Sequence, residues 1–249
     1  MALTGIKGRA APSRQREPGN HDDPTGALLD AQSLYRFYRV DDDETLALQS
    51  VSLQLWPGDL VVVAGPSGSG KSTLLACLAG LEEPSGGAVY INGERVSHQP
   101  EAARSQLRAR NIGVLAQSGN LFPHLTVGQN IALAQSLAGR GWRQRRRRLS
   151  SRDLLASLGI DRREHALPSQ LSGGESARAG LAVALANDPM VLIADEPTGE
   201  LDSANEARLL DLLVERSRSG RAVLVASHSP GVIRRADRII TLLDGRLTS

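Results

Sequence analysis

The stretch Leu60 to Leu75, LVVVAGPSGSGKSTLL, restricts this chain more than any other. An apolar, β-branched run from Leu60 to Ala64 leads into Gly65-Pro66-Ser67-Gly68-Ser69-Gly70-Lys71-Ser72-Thr73, and the helix-forming Leu74-Leu75-Ala76 follows. That order predicts strand, glycine loop and helix, with G-x-x-x-x-G-K-S at the junction. Glycines let consecutive backbone N–H groups turn inward without Cβ clashes and so form an anion nest. The helix that starts there adds its positive end, which makes phosphate the natural ligand. Lys71 offers a compact charge to β- and γ-phosphates, and the Ser72 hydroxyl can ligate Mg²⁺. Lys7 and Lys71 are the only lysines, and arginine carries the positive charge elsewhere. An ammonium is kept where a planar guanidinium fork would not fit.

The length of 249 residues suits one large α/β domain or two small ones. Aromatic residues are 3% of the chain, which argues against a stacking platform for single-stranded nucleic acid. A net charge of +2 supplies no global basic field, so nucleic acid is not the expected partner. Cys77 is the only cysteine, which excludes an intramolecular disulfide, fits a reducing compartment and suits a core residue. No stretch approaches the roughly 20 apolar residues needed to span a bilayer, and the N-terminus has no apolar leader segment. The expectation is a soluble, cytoplasmic chain.

Residues 1–27 are polar, with Gly, Pro and mixed charge, and read as a disordered tail ahead of an ordered domain over 28–249. Gln32 to Val40 and Leu46 to Leu55 alternate as two strands around an acidic turn. Tyr38, at the end of the first, is a sheet aromatic or a platform for a nucleotide base. A short strand over Ala88 to Asn92 and a basic helix over Pro100 to Arg110 precede a strand from Ile112 that ends at Gln117. Thr126 caps a helix running to about Ala138. Gly139 to Arg148 is the one strong charge run, with five arginines in Arg143 to Arg148 beside Trp142. It is either a solvated helix face or an electrostatic contact with anionic lipid headgroups or an acidic partner loop.

Ser150 to Leu158 is an amphipathic helix, and Leu171-Ser172-Gly173-Gly174-Glu175 then opens an alanine-rich helix read over Ser176 to Ala186. This second glycine turn is a second anion site, needed only if it faces a nucleotide held by another subunit. Met190 to Ala194 is apolar on both faces, the mark of a central parallel strand, and delivers Asp195-Glu196 at its C-terminal end. Strand alternation points these carboxylates in opposite directions, one toward Mg²⁺ through water and the other toward a γ-phosphate and its attacking water. A helix contains Leu209 to Val214. Ala222 to Ala226 is another buried strand, and His228 follows it at the same edge. Arg238 to Leu243 and Gly245 to Leu247 close the chain as a hairpin.

The ordered set Tyr38, GPSGSGKST, Gln117, LSGGE, MVLIADE, Gly199-Glu200-Leu201-Asp202 and His228 closely resembles the ATP-binding cassette (ABC) subunit of ABC transporters, from about Leu34 to Leu247. The resemblance implies an α/β P-loop NTPase with a mainly parallel core sheet, an antiparallel β subdomain and a helical signature subdomain near 118–185. It implies ATP and Mg²⁺ as ligand and cofactor. Gly65, Pro66, Ser67, Gly68, Ser69, Gly70, Lys71, Ser72 and Thr73 would cradle the phosphates, and Tyr38 would stack on adenine. Ser72, Gln117 and Asp195 would serve Mg²⁺, with Gln117 coupling the site to a membrane partner. Glu196 would be the general base and His228 the switch residue. Ser172, Gly173 and Gly174 would bind the γ-phosphate of ATP on the opposite subunit of a head-to-tail homodimer, with Asp202 across the interface. The implied partner is a separate transmembrane permease, which would hold the chain at the inner face of the membrane. ADEPTGELD and NLFPHLTVGQNIAL are most similar to the branch of lipoprotein-release, macrolide-export and cell-division-type ATPases, although amino-acid importers share most of these words. Ser176-Ala177, Val183 and Ala116 depart from the family's usual residues, and Arg178 is retained. Two alternatives stand beside a transport motor: an ABC ATPase that regulates a membrane complex without transport, and a soluble one working on DNA or ribosomes.

Overall fold

The computed structural model describes residues 26–40, 43–139, 150–199 and 201–248. The N-terminal tail to residue 25, the Arg143 to Arg148 run and Glu200 lie outside the described residues. Ala27 and Leu28 are both buried.

Two sheets share the molecule. The first is antiparallel, in the order β2 (Asp43–Leu55), β1 (Leu29–Val40), β4 (Gly86–Ile91), β5 (Glu94–Arg95). Both long strands start three residues earlier than their alternation predicts. The pairing register of β1 slips beside Ser33, and Ser33 and Ser50 hold positive φ angles of 48° and 53°. The bulge beside Ser33 separates the buried Leu29 and Ala31 from the alternation that follows, and β2 starts on the acidic Asp43-Glu44, which does not read as strand in sequence.

The second sheet has the order β10 (Arg246–Thr248), β9 (Arg238–Leu243), β3 (Leu60–Ala64), β8 (Ala222–Ala226), β7 (Val191–Asp195), β6 (Ile112–Leu115). Every neighbouring pair is parallel except β9 with β10. Val63 pairs with Ala226, Asp195 with Ala226 and Leu115 with Ala194. The C-terminal ends of four strands therefore lie along one edge, where open α/β sheets bind ligands.

Strand alternation splits the core between the two faces of this sheet. Val61, Val63, Val191, Ile193, Ala222 and Leu224 pack with α1 (Lys71–Leu78) and the apolar residues of the antiparallel sheet. Leu60, Val62, Leu192, Ala194, Val223 and Val225 face α3 (Val127–Leu137), α4 (Ser151–Ser157), α5 (Gly173–Leu185) and α6 (Ser203–Arg218). The helices over 127–185 share that cluster with the sheet. Two further helices, α2 (Glu101–Asn111) and α7 (Pro230–Ile233), complete the set among the described residues. Each fully buried Leu or Val contributes roughly 1.5–3 kcal/mol, so the strands beneath the site are its most firmly held part.

Caps account for two boundaries that periodicity missed. Ser172 and Glu175 form a reciprocal capping box, so α5 starts at Gly173, three residues before the alanine-rich run. Asp202 caps α6 by accepting from the N–H groups of Ala204 and Asn205, which extends that helix well ahead of Leu209. Thr126 caps α3 as its sequence predicts, with Gln129 closing the box.

Candidate active site

The glycine loop leaves the buried end of β3 and re-enters structure as α1. Two of its glycines are required by space. Gly65 has φ 151°, and a Cβ there would lie 2.2 Å from the Leu242 carbonyl oxygen. Gly70 has φ 100°, and a Cβ there would lie 2.5 Å from the Ala47 carbonyl oxygen. No side chain caps α1, so its first N–H groups remain available. Pro66, Ser67 and Gly68 form an exposed crest. Ser69 is buried and its Oγ has no hydrogen-bond partner among the described residues. Lys71 Nζ donates to the carbonyls of Gly65 and Pro66, both at 2.9 Å, which holds the ammonium over the loop. Uncapped donors, a glycine cradle and a tethered cation form an anion site.

One open cleft is lined by Gly65 to Gly68, Gly70 to Thr73, Gln117, Asp195, Glu196 and His228. Asp195 is the last residue of β7. Glu196 lies beyond the strand with φ 46°, so a left-handed turn aims its carboxylate, and the alternation argument of the sequence does not reach it. That carboxylate is held at both oxygens. His228 Nδ1 lies 2.9 Å from Oε1, and the buried Ser227 hydroxyl donates to Oε2 at 3.2 Å. The Glu196 side chain is 17% exposed, whereas that of His228 is 83% exposed. A carboxylate held at the cleft wall with an exposed imidazole beside it suits polarisation of a water.

Gln117 sits on an exposed loop after β6. Asn120 closes that loop, accepting from the Ala116 N–H at 2.8 Å and donating to the Ala116 carbonyl at 2.7 Å. Sequence reading passed over Asn120, though Ser118-Gly119-Asn120 is a turn composition that signals it.

Tyr38 is not part of the cleft wall. Its hydroxyl donates to Glu82 Oε2 at 2.5 Å and lies 3.5 Å from Thr73 Oγ1, while the Arg36 guanidinium sits 4.7 Å from the ring centroid. The ring is a sheet aromatic beside the first turn of α1, tethered by a carboxylate that no motif flagged. Burial and the nearby Glu82 push the Cys77 thiol up to about 12, so this cysteine is an inert core group.

Ser172, Gly173 and Gly174 are absent from the cleft around the glycine loop. Gly173 instead borders a second cleft, with Gln117, Asn120, Glu196 and Leu201. A Cβ at Gly174 would lie 3.3 Å from Asn205 Nδ2, a close approach. Asn205 in turn donates to Asp202 Oδ2 at 2.6 Å and accepts from Arg178 Nη1 at 2.5 Å. Those hydrogen bonds, the Asn205 N–H foremost, lower the Asp202 carboxyl below its ordinary value. The turn after Glu196 and the start of α5 are thus tied together within one chain.

The family model of the ABC transporter matches residues 48–199. The chain belongs to the ABC transporter family. An uncharacterised ABC transporter ATP-binding protein of Mycobacterium tuberculosis is 42% identical over 221 residues, 88% of each chain. The lipoprotein-releasing system ATP-binding protein LolD 1 of Caulobacter vibrioides is 40% identical over 223 residues, 89% of this cassette and 95% of that protein. The macrolide export ATP-binding/permease protein MacB of Hyphomonas neptunium is 39% identical, and the match covers 90% of this cassette but 35% of that longer protein. Among solved structures, the dimeric bacterial cassette MJ0796 superposes with a TM-score of 0.81 at 32% identity, over 89% of this chain and 97% of that one. A post-hydrolysis state of MJ0796, a dimer bound to ADP and Pi, superposes equally well. This ABC cassette is an ATP-hydrolysing subunit of a transporter, and its similarity to LolD and MacB is consistent with the lipoprotein-release and macrolide-export branch. No helix among its described residues is long and apolar enough to cross a membrane.

Proposed function

We propose that two copies of this cassette pair head to tail, so that each active site joins the glycine loop of one copy to Ser172, Gly173 and Gly174 of the other. The observation that carries this reading is that the glycine-loop cleft is lined by Gln117, Glu196 and His228 but by none of Ser172, Gly173 and Gly174. The dimeric cassettes superposable on this chain support it. The triphosphate lies along the loop, held by the free N–H groups of the loop and of the first turn of α1 and by Lys71. Glu196 orients and deprotonates the attacking water, and His228 steadies its carboxylate and reaches the γ-phosphate. Tyr38 is assigned to the adenine, which it meets by turning from Glu82.

The donors fit Mg²⁺, which takes one or two protein carboxylates beside phosphate oxygens and water. No group of three or more His, Cys, Asp or Glu side chains is clustered among the described residues. Ser72, Gln117 and Asp195 would hold the ion, which neutralises charge on the β- and γ-oxygens when bound. The motor drives a separate membrane permease, and its place is the inner face of the membrane. Arg143 to Arg148 add an electrostatic contact to lipid headgroups or to the permease. The similarity to LolD and MacB supports this assignment over a DNA- or ribosome-associated role.

Glu196→Gln tests the reading. The variant is expected to bind Mg-ATP and form a dimer with ATP but not with ADP, read by sedimentation, while turnover falls about 10²–10⁴-fold. Near-normal turnover would remove Glu196 from its role.

A further inference from the structure

The start of α5 must accept a phosphate in the head-to-tail arrangement, yet it carries a carboxylate in its first turn. Glu175 Oε2 accepts from the Ser172 N–H at 2.9 Å and from the Ser172 hydroxyl at 3.1 Å. Its other oxygen, Oε1, accepts from Arg163 Nε at 2.8 Å. The Ser172 N–H first, and then Arg163, hold the Glu175 carboxyl down at about 2, so it is ionised at any physiological pH. A helix start is equivalent to about half a positive charge. One full negative charge in the same turn outweighs it. An uncompensated Glu175 would therefore repel the ligand this helix is placed to receive.

Arg163 ends the short 3-10 turn Asp161–Arg163, on a different segment from α5. Its side chain is 45% exposed, and an ion pair so open to water adds little to fold stability. Its larger effect is on the field at the helix start, where a third body, the phosphate, approaches. We propose that Arg163 is a positioning residue for nucleotide-driven pairing: it neutralises Glu175 and draws Oε1 aside, so that an acidic capping box coexists with a phosphate seat. This rests on the head-to-tail reading above. The ligand concerned is the terminal phosphate of ATP held by a second copy.

The test uses the full chain in a Glu196→Gln background, with dimer formation followed by sedimentation across an ATP titration. Arg163→Ala should raise the ATP concentration for half-dimerisation on the order of tenfold at low salt, and less at high salt. ATP binding to dilute, monomeric protein should not change. Adding Glu175→Gln to Arg163→Ala should restore the parent midpoint, because the charge that needs compensation is gone. A contact that merely packs would leave the double variant as defective as Arg163→Ala. Dimerisation of Arg163→Ala at the parent's ATP concentration, or failure of Glu175→Gln to rescue it, overturns the inference. If the Glu196→Gln parent binds ATP but never dimerises, the head-to-tail reading itself falls and takes the inference with it.

Discussion

Glu196 and Glu175 are both carboxylates at turns, and their surroundings give them different tasks. Glu196 sits on a left-handed residue that costs on the order of 1 kcal/mol in backbone strain, sustained by the Ala226 carbonyl that accepts its N–H at 2.9 Å. The turn directs its carboxylate to His228 and Ser227, as no strand position would. Glu175 is a structural acid with a depressed pKa, and the sign of its pH effect follows. Its folded value of about 2 lies below the ordinary 4.5, so its stabilisation is complete above about 4.5 and is lost as pH falls through about 2. Acid unfolding followed by circular dichroism should therefore show a shallower loss of stability over that window in Glu175→Gln than in the parent. Parallel curves would mean that Glu175 is not held by Ser172 and Arg163 in solution.

At the scale of elements, α1 and α5 look alike in sequence, each opening after a glycine turn, but they differ at their first residues. α1 has no side-chain cap and α5 has a complete capping box. α1 relies on burial to stay in place. Leu74, Leu75, Cys77 and Leu78 are all buried, in the cluster that includes Val61 and Val63 of β3. Leu74→Ala should cost about 2–5 kcal/mol, measured by denaturant unfolding, because it opens a cavity under the first turn. The same change should weaken ATP binding, since the uncapped N–H groups lose their backing. Destabilisation with intact nucleotide affinity would show that the loop holds its shape without the helix.

For the whole molecule, the proposed head-to-tail pairing makes each active site from two chains. Mixing tests this. Lys71→Ala homodimers and Gly173→Asp homodimers should both be inactive. A mixed dimer has one doubly damaged site and one intact site, built from the loop of the Gly173→Asp chain and the signature of the Lys71→Ala chain. In a Glu196→Gln background that intact site should trap one ATP per mixed dimer, counted by filter retention of labelled nucleotide. Absence of trapping in mixed dimers that demonstrably form would mean that the motifs do not meet between subunits.

The residues proposed to bear the chemistry are legible because their types and spacing are local facts. Gly65 to Thr73 declare a phosphate loop through backbone freedom and one lysine, and the apolar runs before Asp195 and His228 declare buried parallel strands. Those signals determine the α/β class and the strand edge that carries the site. Tertiary structure decided what depends on distant partners. Glu82 restrains Tyr38 across 44 positions, and Asn205 meets Arg178 and packs close to Gly174. Arg163 finds Glu175 from a 3-10 turn with no periodic signal, and Glu196 takes its aim from a backbone angle that a strand pattern does not contain. Local propensity encodes what a residue can do. Side-chain direction and charge compensation arise only when separate segments are packed against each other.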